Sequence, residues 1–293
     1  MSHLVSTRRW SLWLLALYAV GLAACSQEHE TPTHLRIAVL PDQSAELLHR
    51  PHASLVEHLG QTLGVTSELI VPQGYADLLA MFRKREVDLV FFGGLTFLKA
   101  RRFDGAVPVA TRDIDLRFTT TLLARQSASG KTIEEFRGER FSFGSKQSTS
   151  GHLMPRYYLQ EHGIVPETFF SEVRNSRAHD MTVNWVDSGV VDLGAVNTYI
   201  LQSMFDEGLV EPTDFRVVWV TPPYPNYVWA VRPELSAAFR QRLQQAFLSL
   251  TPQNPEHNAI LASQSAGGFL PVHHNDFHKL ETIAENLGLL TGP

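Results

Sequence analysis

Cysteine is almost absent: Cys25 is the only one in 293 residues, so the chain can close no internal disulfide and must hold itself together with an apolar core. Long apolar runs are scarce too. The one near the start, Trp10 to Ala24, is shorter than the roughly 20 apolar residues a membrane-spanning helix needs, and Arg8 and Arg9 precede it. It reads as a secretory signal covering residues 1–24. Positive charge is also in deficit, with 25 Lys+Arg against 30 Asp+Glu, and removal of the signal takes away two Arg and no acid. Bulk charge therefore excludes a nucleic-acid binder, and an anionic ligand would need local donors to draw it in against the mean field. The usual catalytic signatures are missing as well: neither G-x-S-x-G nor S-x-x-K occurs. Gly130-Lys131-Thr132 does not complete a nucleotide-binding loop, because Arg125 stands five places earlier where glycine is required. The chain has 13 His, but with one Cys and no C-x-x-C they read as surface or core residues, so neither a metal nor a cofactor is expected.

What is present is an alternation of strand and helix patterns, which points to an α/β architecture of sheets covered on both faces. Leu35 to Leu40 reads as a strand, Ala45 to Leu63 as a helix, Thr66 to Val71 as a strand and Ala76 to Arg85 as a helix. Val87 to Phe92 is almost wholly apolar, as expected of a strand buried on both faces. A second unit has strand patterns at 118–123, 140–143, 169–173 and 191–196, with helices predicted over 150–161 and 181–188. Two further strands, 216–220 and 227–231, flank Thr221-Pro222-Pro223-Tyr224-Pro225, a stiff connection suited to a crossing between lobes. Arg85-Glu86-Val87-Asp88-Leu89-Val90 is echoed by Gly189-Val190-Val191-Asp192-Leu193-Gly194, which suggests two similarly built lobes. The expected division is 34–116 with 225–293 as lobe one and 117–224 as lobe two, joined by two hinge crossings. Each lobe is expected to be a mainly parallel sheet flanked by helices.

The segment richest in chemistry is Phe141 to His152, in which a strand ends in Gly144-Ser145-Lys146-Gln147 and a helix starts at Ser148-Thr149-Ser150-Gly151. Three consecutive hydroxyls exceed what one helix cap uses, and the free amides of a first turn add donors and the positive end of the helix dipole. Such a start suits a tetrahedral oxyanion. Phe92-Gly93-Gly94-Leu95-Thr96-Phe97 is a second strand end, glycine turn and helix start, with Thr96 as a donor and Phe92 or Phe97 as a wall. Pro41-Asp42-Gln43 is a third such loop. Ligands of open α/β sheets bind off the carboxyl ends of strands, so the three should share one cleft. Ser148, His152, His179 and Asp180 also supply the residue types of a Ser-His-Asp hydrolase, a rival reading without its local signature.

Leu22-Ala23-Ala24-Cys25 resembles the bacterial lipobox. That resemblance implies cleavage before Cys25, a lipid on its sulfur and a polar tether over 25–33. Four further stretches together resemble the phosphate/phosphite/phosphonate-binding proteins of ABC importers, within the type II periplasmic-binding fold. They are Phe92 to Phe97, Ser148-Thr149-Ser150-Gly151, Ala178-His179-Asp180 and Val191 to Asn197. The resemblance implies that Ser148, Thr149, Ser150, His179 and Asn197 line the cleft, and Gly151, Gly93, Gly94 and Tyr224 are expected beside them. It further implies a monomeric binding protein that hands a small oxyanion to a membrane permease and catalyses nothing. The strings from Phe141 to Tyr157 and Thr221 to Tyr224 look like a subgroup labelled selenate-binding, which leaves selenate as an alternative ligand. A periplasmic receptor signalling to a membrane kinase is the alternative role. Chemistry offers one discriminator: phosphate and phosphonate can carry a proton near neutral pH and selenate cannot, so a carboxylate facing the anion would favour the former. Asp42 and Asp180 are the carboxylates in question.

Overall fold

A computed structural model describes residues 31–273 and 275–292; the expected secretory signal, Cys25 and most of the expected tether lie outside the described residues. Two sheets form the frame. The larger has six strands in the order β11-β4-β10-β3-β1-β2. These are β1 (His34–Val39), β2 (Thr66–Ile70), β3 (Leu89–Phe92), β4 (Val107–Arg112), β10 (Val228–Val231) and β11 (Phe269–Leu270). The smaller has five, in the order β7-β6-β8-β5-β9. They are β5 (Thr120–Arg125), β6 (Arg140–Phe143), β7 (Glu172–Asn175), β8 (Leu193–Asn197) and β9 (Phe215–Val220).

Both sheets are mixed, and the reason lies in how each strand is delivered. Strands joined by a strand–helix–strand unit run parallel, as β1 does with β2 and β3, and β6 with β7 and β8. Strands that follow a crossing arrive from the other side and run antiparallel: β5 against β8 and β9, and β10 against β3 and β4. The two crossings lie side by side, with Phe118 and Tyr224 exchanging backbone bonds of 2.9 Å in both directions.

Helix α1 (Ala45–Leu63) follows the periodicity: Leu48, His52, Leu55, Val56, Leu59 and Leu63 recur every three or four residues and are the ones buried. It stops at Gly64, whose φ of 69° is left-handed and costs glycine little. α2 (Tyr75–Arg83) and α3 (Gly94–Asp104) follow β2 and β3. α6 (His179–Asp187) and α7 (Thr198–Asp206) flank β8 in the second lobe, and α8 (Ala237–Leu248), α9 (Pro255–Ser263) and α10 (His278–Asn286) return to the first. Among the described residues no helix is long and apolar enough to cross a membrane.

Two local expectations differ. The helix predicted from Ser150 opens instead as a wide π-helical turn, Thr149–Leu153, before α4 (Met154–Glu161). Gly144 and Gly151 allow this: Gly144 N–H donates to the Gly151 carbonyl at 2.7 Å, and a Cβ on Gly151 would lie 2.9 Å from Gly144 Cα. In place of the strand predicted over 169–173, Pro166–Phe169 form the short helix α5, and β7 begins only at Glu172. Phe170 is drawn inward to stack on Phe141 at 4.6 Å, a burial of the kind worth about 1.5–3 kcal/mol.

The Val-Asp-Leu echo has a structural meaning. Asp88 accepts from the backbone N–H, Nε and Nη2 of Arg36 at 2.8–2.9 Å, and Asp192 accepts from the same three groups of Arg140 at 2.8–3.0 Å. Each pair ties the foot of one strand to the foot of its parallel neighbour.

Candidate functional site

The ends of β1, β2 and β3 face those of β6 and β8 across the interlobe cleft, and the loops that leave them supply the polar side chains there. Ser148 caps the π turn by accepting from Gly151 N–H at 2.9 Å. Thr149 Oγ1 accepts from Leu95 N–H, in the first turn of α3, at 2.8 Å. A hydroxyl that accepts there still has its own proton to give to a ligand. The amides of Thr149 and Ser150 begin the turn, where a helix supplies no internal acceptor.

His179 stands behind the hydroxyls, with Nε2 3.3 Å from Ser150 Oγ and 3.5 Å from Ser148 Oγ. Its Nδ1 accepts from Asn197 N–H at 3.1 Å, which places the ring proton on Nε2, where it can donate into the site. Burial pushes its pKa down to about 3, so it donates as a neutral imidazole. Asn197 caps α7 through Oδ1, and its Nδ2 donates to the Tyr227 hydroxyl at 2.9 Å. The Tyr227 hydroxyl in turn donates to the Asp42 carboxylate. Across the same seam His179 N–H donates to the Asp42 carbonyl at 2.8 Å and Ser44 N–H to the Asp180 carboxylate at 3.1 Å.

From the first lobe, Tyr75 brings a buried phenol that lies within electrostatic reach of Asp42. Gly94 N–H donates to Asn226 Oδ1 at 3.3 Å, while Asn226 Nδ2 is buried without an acceptor among the described residues. Such an orphaned donor costs about 1–3 kcal/mol unless a ligand or water completes it. Gly94 has no substitute here: a Cβ would lie 2.5 Å from Leu280 Cδ2, 3.1 Å from the Asn226 carbonyl oxygen and 3.3 Å from Thr149 Oγ1. A groove of about 840 Å³ reaches this cluster from one side, past Leu48, Phe91, Phe118 and Ile200 to Asp42, Asn197 and Tyr227. Among the described residues no group of three or more His, Cys, Asp or Glu is placed to hold a metal ion.

The arrangement gathers hydroxyl, amide and imidazole donors and one carboxylate around a point between the lobes. The family model for the periplasmic phosphonate substrate-binding proteins of ABC transporters matches residues 37–277. The chain belongs to that family. It is therefore the substrate-binding component of an importer and not an enzyme, which retires the Ser hydrolase reading. The "Probable ABC transporter phosphite binding protein PhnD1" of Prochlorococcus marinus is 28% identical over 268 residues, covering 87% of this chain and 90% of that one. A phosphate-import protein of Mycolicibacterium smegmatis is 24% identical over 279 residues, covering 88% and 87%. Among solved structures, Prochlorococcus marinus PhnD1 in complex with methylphosphonate superposes with a TM-score of 0.82 at 27% identity, over 88% of this chain and all of that one.

Ser148, Thr149, Ser150, Gly151, His179 and Asn197 are brought together with Gly93 and Gly94. Three other predicted residues lie elsewhere. Phe92 packs edge-on against Phe82 at 5.3 Å in the core of lobe one, because alternation along β3 turns its neighbour Phe91, not Phe92, toward Tyr227. Thr96 spends its hydroxyl on the Gly93 carbonyl at 2.9 Å. Tyr224 binds Thr120, whose hydroxyl donates to the Ser150 carbonyl at 2.7 Å, so it braces the turn from behind. Tyr75, Asn226 and Tyr227 escaped the sequence reading. Tyr75 had a usable signal, since it follows Gly74 at the start of α2, just beyond the end of β2.

Proposed function

We propose that the cleft captures a small tetrahedral phosphorus oxyanion, a phosphonate, phosphite or phosphate, for delivery to the permease. The observation that carries the reading is the clustering of the Thr149 and Ser150 hydroxyls, His179 Nε2–H and the Asn226 Nδ2, buried without an acceptor among the described residues, where the Ser148 turn meets the first turn of α3. Such donors lose water on closure and gain a charged acceptor, and charge-assisted bonds are the strong ones. The ligand named for the Prochlorococcus marinus structure, methylphosphonate, is of this class. In this reading residues 34–116 and 225–293 form the lobe that carries Tyr75, Gly93, Gly94 and Asn226. Residues 117–224 form the lobe that carries the Ser148 turn, and the crossings at Phe118 and Tyr224 act as hinges. Residues 1–24 direct export, and a lipid on Cys25 holds the mature monomer at a membrane.

Calorimetry on the domain lacking residues 1–24 tests the capture directly. Methylphosphonate, phosphite or phosphate should bind and raise the melting temperature. Ser148→Ala and Thr149→Ala should each weaken binding by about 1–3 kcal/mol while the fold persists. Unchanged affinity in the double variant would remove the turn from the site. Lipidation is read separately, by the mass of Cys25-containing peptide from protein expressed in a bacterial host.

A further inference from the structure

Asp42 is a carboxylate on the groove that meets the Ser148–His179 cluster, and its surroundings define what it can do there. It is 5% exposed, at the end of β1, with its backbone carbonyl bound by His179 N–H. Its one side-chain hydrogen bond among the described residues comes from Tyr227. Asn197 Nδ2 donates to the Tyr227 oxygen, so the phenol proton is committed to Asp42, and no other side chain donates to the carboxylate among the described residues. Glu46, Arg50, His52 and Glu207 line the same groove and make no hydrogen bond to Asp42 among the described residues, and the groups packed closer are engaged elsewhere. Arg112 is the cation nearest in effect, but its Nε and Nη2 are bound to Asp115 at 2.7 and 2.8 Å and its Nη1 to the Gln264 carbonyl, while its plane lies over the Phe91 and Tyr227 rings. Asp180 is acidic and is spent on the amides of Ser44 and Met181. Tyr75 acts on Asp42 at electrostatic range, with no hydrogen bond to it among the described residues, and His179 turns Nε2 to the serines. Two negative groups crowded in a water-poor site do not both stay ionised; they share a proton, as paired carboxylates do.

We propose that Asp42 and the captured oxyanion hold one proton between them, which makes Asp42 the residue that selects proton-bearing phosphorus oxyanions over sulfate and selenate. This rests on the Ser148 turn being the anion site. A phosphoryl group keeps its last proton up to a pKa of about 6 or above, so it brings the bridging proton with it near neutral pH. Sulfate and selenate bring none and would oppose Asp42 as bare anions. The free carboxyl is already inclined this way: burial pushes its pKa up to about 7, against the lowering pull of the Tyr227 bond and of Arg112. Which partner formally owns the proton is immaterial to the stoichiometry, since the pair titrates as a unit.

The test is calorimetry of methylphosphonate, phosphate and selenate from pH 5.5 to 9, repeated in buffers of different ionisation enthalpy to count protons, on the wild-type protein and on Asp42→Asn. Wild type should take up one proton with methylphosphonate above pH 8, and its affinity should fall there by up to about tenfold per pH unit. Selenate should bind at least tenfold more weakly than methylphosphonate at pH 7.5. Asp42→Asn should flatten the alkaline fall and shrink the preference over selenate. The wild-type arm stands even if the variant does not fold. Methylphosphonate affinity that is constant or rising up to pH 9 without proton uptake overturns this proposal and leaves oxyanion capture intact. No binding of either phosphorus anion at any pH sinks both.

Discussion

In lobe one, Asp88 joins β1 to β3 from a side chain only 2% exposed and accepts a further bond from Arg232 Nε at 2.7 Å; in lobe two, Asp192 joins β6 to β8 with 18% of its side chain exposed, bonded by Arg140 with Arg125 at electrostatic range. The contact with the strand-foot arginine is the same three-point grip in both. What differs is the cost of losing it. At Asp88 burial raises the pKa, and the bonds from Arg36 and Arg232 outweigh that and leave it below the ordinary value. At Asp192 the bond from Arg140 is the leading influence, with water close by. The comparison teaches that one sequence echo marks one device used twice, and that its energetic weight is set by surroundings the echo does not encode.

Asp88→Ala should show this most strongly. It leaves the buried Arg232 and the half-buried Arg36 without their shared acceptor, and removing one partner of a buried pair costs about 3–5 kcal/mol. Urea denaturation should show that loss, and a drop under 1 kcal/mol would place Asp88 in the same class as its counterpart. Acidification comes next and acts on both lobes. Burial lowers the pKa of His52, in lobe one, to about 4, and that of His179, in lobe two, to about 3. The unfolded chain, with histidines near about 6.5, therefore binds more protons than the native one below that pH. Their contribution is complete above pH ~6.5 and is lost as pH falls toward those folded values, on the order of 3 kcal/mol for His52. His52→Phe should remove that lobe's share, so a variant whose acid transition matches wild type would count against it. Asp192→Ala is the smallest effect, about 1 kcal/mol, because water can replace the lost carboxylate.

Legibility tracked the distance along the chain between interacting groups. The Ser148 turn could be read because cap, hydroxyls and glycine lie within four residues, and α1 because its stripe is internal to one helix. The Asp42–Tyr227 bond spans 185 positions and the Leu95–Thr149 bond 54, so no local pattern announces them. Asp192 could be seen as half of an echo, yet its partner could not, although Arg36 and Arg140 each sit at the foot of a strand. Phe92 was misplaced because a doubly buried strand hides which of its faces meets the cleft, and only the pairing of β3 with β10 reveals it.

The strand order of the larger sheet has a consequence for biogenesis. β10 comes from late in the chain yet lies in the middle of a sheet begun by β1, β11 later still forms its edge beside β4, and Leu280 of α10 packs at Gly94. The five strands of the smaller sheet are contiguous in sequence, from 120 to 220. During synthesis and passage across a membrane the second lobe can mature as soon as its own segment emerges, whereas the first must wait for nearly the last helix. The capture site, which needs both, is completed at the end, so the half-made protein should hold no ligand while it is being exported.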